Sequence, residues 1–231
     1  MRLHLSLAIA LALALALVRP VAAARLADLS NQDTVRGLKE ALVLGADKAV
    51  SQLGTANGFL GDPKVKIPLP DSLRKAERVM RMIGMGAQAD ELVTNMNRAA
   101  EMAVTEAKPL LVDAVKRMSI QDAKGILTGG DDAATQYFRR TTSEALTQKF
   151  LPIVKQMTAR VNLAQLYNQY AGQAAKFGVI DARDANIDDY VTRKALDGLF
   201  LVIAEQERAI RKDPVGAASS IVQKVFGAIG R

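Results

Sequence analysis

The sequence predicts an all-α fold: a single-domain helical bundle with a central apolar helix and one long loop containing Pro and Gly. Apolar residues recur at helical spacing almost everywhere, while alternating apolar and polar runs of strand length are nearly absent. Glycines stand where the periodic stretches stop, at Gly54, at Gly84-Met85-Gly86 and at Gly129-Gly130. One stretch, Leu199-Phe200-Leu201-Val202-Ile203-Ala204, is apolar on every side, so its helix needs cover all round and belongs at the centre.

Residues 1–24 read as an export signal. Arg2 supplies a positive start, Leu3 to Val18 is a Leu/Ala-rich run, and Ala22-Ala23-Ala24 offers a small-x-small site for cleavage after Ala24. The run is short for a bilayer span and Pro20 follows it, so removal is expected, leaving one domain over 25–231 in the periplasm, not transmembrane. A first helix is expected from Asp33 to Leu53. The second begins near Asp71 and turns Leu73, Ala76, Val79, Met80 and Ile83 inward. Between them Thr55 to Pro70, with Ile67-Pro68-Leu69-Pro70, lacks helical spacing; its alternate prolines hold the chain extended, as a strap across the helices.

A third helix should run from about Gln88 to Ala107, and Pro109 fits the first turn of a new one through Met118 or a kink in a continuous one. Ser119-Ile120-Gln121-Asp122 has the spacing of a reciprocal helix cap, and Asp131 can cap the helix that follows Gly129-Gly130. That helix passes Tyr137 and Phe138 to about Ala159, with a break expected near Thr142. Another carries Leu163, Leu166, Tyr167, Tyr170 and Ala174. After the acidic linker Asp181 to Asp189 comes the central helix, Tyr190 to Lys212, in which Gly198 permits a neighbouring helix to approach closely. A terminal amphipathic helix, Val215 to Ile229, places Ile221, Val225 and Phe226 on one face, either to close the core or to meet a partner.

Five separate motifs carry a resemblance: Ile67-Pro68-Leu69-Pro70; Met96-Asn97-Arg98-Ala99-Ala100-Glu101; Ile126 to Arg140; Tyr190 to Phe200; and Ile210-Arg211-Lys212-Asp213-Pro214. Together they are similar to the exported bacterial proteins of domain of unknown function 4197, over nearly the whole of residues 25–231. The resemblance implies the domain limits and the compartment, and it implies no catalytic residues or activity.

The chemistry open to the chain is narrow. It has no Cys and no Trp, and its one histidine, His4, lies in the leader. Nucleophilic pairs that need imidazole, and zinc sites that need His or Cys, are therefore excluded, and no metal or cofactor is expected. Ser72-Leu73-Arg74-Lys75 fits a Ser-x-x-Lys pattern without its companion motifs. Asp184, Asn186 and Asp188 begin a calcium-loop pattern that Asp189 and Ala195 break. The polar members of the motifs, Asn97, Arg98, Glu101, Asp132, Tyr137, Arg139, Asp197, Glu205 and Arg211, are expected to meet as a polar network or to line a pocket. Arg98 and Glu101 stand three apart and can pair.

The formal net charge is +7, two of those cations lying in the leader, and basic residues cluster at Arg74, Lys75, Arg78 and Arg81 and at Arg208, Arg211 and Lys212. Export and an aromatic content of 4% argue against nucleic acid, leaving an anionic lipid or an envelope protein as the expected partner. The sequence sets no oligomeric state. The reading is a non-enzymatic binding or structural module of the envelope. Its alternative is a carboxylate-based hydrolase using Asp131 or Asp132 with Glu101, although a helix start lowers carboxylate pKa values where a general acid needs a raised one.

Overall fold

The structure, a computed structural model, describes residues 31–178, 180–213, 223 and 225. The expected leader, and the terminal helix apart from Gln223 and Val225, lie outside these residues. Eight α-helices are described: α1 Asn31–Leu53, α2 Asp71–Met82, α3 Gly86–Val104, α4 Ala107–Arg117, α5 Ile120–Thr128, α6 Ala133–Thr158, α7 Asn162–Lys176 and α8 Ile187–Lys212. A single 3-10 turn, Ala182–Asp184, precedes α8, and there is no strand among the described residues.

The two 26-residue helices, α6 and α8, pack along each other, and α3 lies against both. Their shared core is built from Leu92, Met96, Phe138, Leu146, Phe150, Leu199 and Phe200, all essentially inaccessible to water. α1 crosses α8 and α4, α5 leans on α6, and α2 and α7 attach at the periphery, chiefly to α3 and, for α7, to α8 as well. Burying such side chains contributes roughly 1.5–3 kcal/mol each relative to exposure, and the core continues from this centre to Leu38 and Leu53 of α1, Ile67 and Leu69 of the strap and Leu111 of α4.

Local sequence fixes the helix ends. Ser119 and Asp122 form the expected reciprocal cap of α5: the Asp122 amide donates to Ser119 Oγ at 3.0 Å and the Ser119 amide to Asp122 Oδ2 at 3.2 Å. Asn186 starts α8 by accepting the amides of Asp188 and Asp189. The expected break near Thr142 does not occur. The hydroxyls of Thr141, Thr142 and Ser143 donate to carbonyls one turn back, on Tyr137, Phe138 and Arg139, so these residues are spliced into the helix.

The strap is present and is more tightly held than the sequence suggested. After a series of turns it runs extended from Lys66 to Pro70, and Phe59, Val65, Ile67 and Leu69 point into the core while Lys64, Lys66 and Pro68 face water. Gly198 does admit a close neighbour, but that neighbour is the strap: a Cβ there would lie 2.6 Å from Phe59 Cε1. The central helix is covered on all but one side, where Leu201 is exposed. Two inward assignments on α2 are corrected, since Val79 and Ile83 are exposed; α3 covers only the row of Leu73 and Met80. On α7, Leu166 and Tyr170 are likewise exposed, while Leu163 and Tyr167 are buried.

Candidate functional site

Three of the expected site residues meet on α3, and their common object is the strap. Asn97 is fully buried; its Oδ1 accepts the Ile67 amide at 2.8 Å and its Nδ2 donates to the Ile67 and Val93 carbonyls at 2.9 and 2.8 Å. The side-chain amide thus supplies to a buried extended residue the two hydrogen bonds that a neighbouring strand would have supplied. One turn on, Glu101 Oε1 accepts the amides of Phe59 and Leu60, both at 3.1 Å, and Oε2 takes Arg98 Nη1 at 2.6 Å. Arg98 Nη2 continues to Asn57 Oδ1 at 2.9 Å, where the backbone adopts a left-handed φ of 69°. Every oxygen of the buried carboxylate is thereby occupied.

The remaining expected members separate into independent pairs. Arg139 stands 3.7 Å from Asp197 and lies over the Phe200 ring at 4.7 Å. Glu205 pairs with Lys64 of the strap at 2.8 Å. Tyr137 donates to the Ala114 carbonyl at 2.7 Å, tying α6 to α4. Arg211 does reach a buried carboxylate, but it is Glu207, a residue the sequence reading passed over. Glu207 Oε1 accepts the Ala134 amide at 2.9 Å and Arg211 Nη2 at 2.8 Å, while Oε2 accepts the amide and the hydroxyl of Thr135 at 2.9 and 2.8 Å. Arg211 also donates to the Ile126 carbonyl at 2.9 Å.

Glu207 is therefore the cap of α6, contributed from another helix. Asp132 occupies the cap position in the chain but makes no side-chain cap bond, and its Oδ2 accepts only the side chain of Gln136. Asp131 is exposed, and neither aspartate lines a cavity described below. The expected cap by Asp131 is thus corrected: the Gly129-Gly130 turn leaves both carboxylates pointing to water, while Glu207, fixed on rigid α8, meets the free amides first. The residues of the calcium-loop pattern are dispersed as well. Asp184 pairs with Arg193, Asn186 caps α8, and buried Asp188 accepts the Thr158 hydroxyl.

The titration of these groups follows their surroundings. Burial pushes Tyr190 up to about 12, and it raises Tyr137 and Tyr167 above the usual phenol range. Asp122 is held below the ordinary carboxylate value by the Ser119 hydroxyl and amide, and Asp181 is drawn down to about 2 by Arg183.

Two concavities are described. A narrow apolar crevice between α1 and α8, lined by Leu38, Leu42, Phe138 and Ile203, measures about 20 Å³ and ends at Glu207 and Arg211. That is room for one water at most. The second is an open groove of about 600 Å³ where Gly54-Thr55-Ala56 passes α3 and the end of α6. Met102, Ile153 and Met157 give it an apolar side; Thr105, Glu106, Gln156 and the flank of the Arg98–Glu101 pair give it polar groups. Its size is that of a small-molecule site.

Fold and site together define an all-α bundle in which buried carboxylates anchor a strap and a helix start beside an open groove. The chain belongs to the family described as protein of unknown function DUF4197, whose family model it matches over residues 28–227. No curated protein and no solved structure matches the chain.

Proposed function

We propose that this protein is an exported, non-enzymatic binding module of the cell envelope, and that the groove beside Glu101 holds an amphipathic ligand. The composition of residues 1–24 supports the export. One observation carries the binding reading: the described buried carboxylates, Glu101, Asp188 and Glu207, are each occupied by amides, hydroxyls or a guanidinium. Groups so satisfied hold the scaffold rigid and are poor proton donors or nucleophiles. The groove supplies what a binding module needs, namely adaptable methionine surface beside a few fixed polar atoms.

Native mass spectrometry of the protein purified from its own envelope tests the reading. The expected result is a retained adduct that is lost from a Met102→Arg variant of unchanged melting temperature, since Met102 is half exposed in the groove. Bare protein from native membranes, or an adduct indifferent to Met102, would remove it.

A further inference from the structure

The outward face of α2 mixes cations with large apolar side chains. Lys75, Arg78, Val79 and Met82 stand at i, i+3, i+4 and i+7, hence on one row, and all four are exposed. Val79 is 53% and Met82 73% accessible, and Ile83, which ends the helix, is 66% accessible. The opposite row faces the bundle, where Met80 is buried and Leu73 packs against the core. Beyond Ile83 the chain turns at Gly84 with φ 82°, and Met85 returns to the core, so the apolar end of α2 projects from the surface.

Charge is distributed in the same sense. Arg74 pairs with Asp71, and Arg81 bridges Glu77 and Asp90, so each of these three carboxylates is engaged by an arginine. Lys75 and Arg78, on the crest beside Val79 and Met82, have no ion-pair partner among the described residues. Together these side chains carry four cations against three carboxylates, with the two unpaired cations on the crest, and the apolar residues Val79, Met82 and Ile83 span a single turn, too short for a knobs-into-holes seam sustained over several heptads. Interfacial helices combine these two properties, apolar side chains that sink below the headgroups and cations level with the phosphates.

We propose that this face of α2 docks the protein on an anionic lipid membrane, with α2 lying in the plane of the interface. Val79, Met82 and Ile83 enter the headgroup layer while Lys75 and Arg78 meet lipid phosphates. None of these residues lines the groove, so this surface stands independently of the groove's ligand.

Sedimentation with vesicles tests it, using phosphatidylcholine alone and phosphatidylcholine mixed with phosphatidylglycerol. The protein should sediment with the mixed vesicles and bind phosphatidylcholine at least about tenfold more weakly, with the difference shrinking as salt rises. Lys75→Glu/Arg78→Glu should remove that preference. Val79→Ser/Met82→Ser/Ile83→Ser should weaken binding at least about tenfold, because it deletes the inserted surface. All five positions are exposed, so each variant should retain the parent's circular dichroism, and Met102→Arg should bind vesicles like the parent. Failure of the parent to sediment, or unchanged sedimentation of both α2 variants, would overturn the proposal. So would a dimer in solution that the triple-serine variant dissociates while vesicle binding persists, since a second copy would then be what covers this face.

Discussion

At the scale of single residues, two glycines in helices have opposite roles, and substitution separates them. Gly198 faces Phe59 so closely that a methyl group cannot enter without displacing the strap, whereas a Cβ at exposed Gly125 in α5 meets nothing within 4 Å. Ala gains roughly 0.5–1 kcal/mol over Gly in helical backbone, so Gly125→Ala should stabilise the protein by about that amount. Gly198→Ala should instead destabilise it by roughly 1–3 kcal/mol, because overpacking outweighs propensity, and Phe59→Leu in the same chain should recover part of the loss. Urea denaturation of the three variants reads both signs. Asn97 gives a sharper case. Asn97→Asp keeps an acceptor for the Ile67 amide but sets a buried carboxylate against the Ile67 and Val93 carbonyls. A loss of about 3 kcal/mol at neutral pH is expected, partly regained on acidification, when the protonated acid can again donate to one carbonyl. A loss that does not depend on pH would mean that strain, not charge, is responsible.

At the scale of elements, the start of α6 shows how far sequence reading reached and where it stopped. Helical spacing, glycine stops and the Ser119/Asp122 cap are local signals, and α1 through α5 lie close to where those signals put them. The strap was legible because alternate prolines exclude helix, and the Arg98–Glu101 pair because it is one turn long. The α6 cap depends on a residue 73 positions away, and no local pattern near Asp132 reports it. A signal did exist in α8, where Glu207 continues the buried row of Leu196, Phe200 and Ile203 at i+4, i+7 and i+11, a place where a carboxylate needs a partner. The exposed flanks of α2 and α7 were illegible for another reason: the apolar pattern marks a helix face without saying whether anything covers it. Removing Glu207 should therefore cost more than removing Asp132. Glu207→Ala leaves two amides and Arg211 unmatched inside the bundle and should lower stability by about 3 kcal/mol, against about 0.5 kcal/mol or less for Asp132→Ala. Equal effects in denaturant melts would return the cap to Asp132.

At the scale of the whole molecule, three phenols join elements that are distant in sequence, and they make alkali the condition under which the bundle should come apart. Tyr137 links α6 to α4, Tyr190 donates from α8 to the Pro68 carbonyl of the strap, and Tyr167 donates from α7 to the Asp184 carbonyl while sharing a 2.8 Å contact with Ser72 of α2. Each hydroxyl acts as a donor, so its ionisation replaces a hydrogen bond by a buried anion facing a carbonyl oxygen. Burial raises all three, Tyr190 to about 12, against an unfolded value near 10. Between those values the unfolded chain has released phenolic protons that the native chain retains, so stability must fall as pH rises. The contribution is complete below about pH 10 and should be exhausted above about pH 12. With no Cys, and no His apart from His4, the described bundle has no imidazole or thiol to add a step nearer neutrality. Melting temperature followed against pH should show a decline confined to the alkaline limb. Tyr190→Phe should make that decline shallower and end it at a lower pH, because it removes the most strongly shifted group, while lowering stability at neutral pH by roughly 1 kcal/mol for the lost bond to Pro68. An alkaline decline unaltered by Tyr190→Phe would assign the transition to lysine and arginine side chains and detach the strap from it.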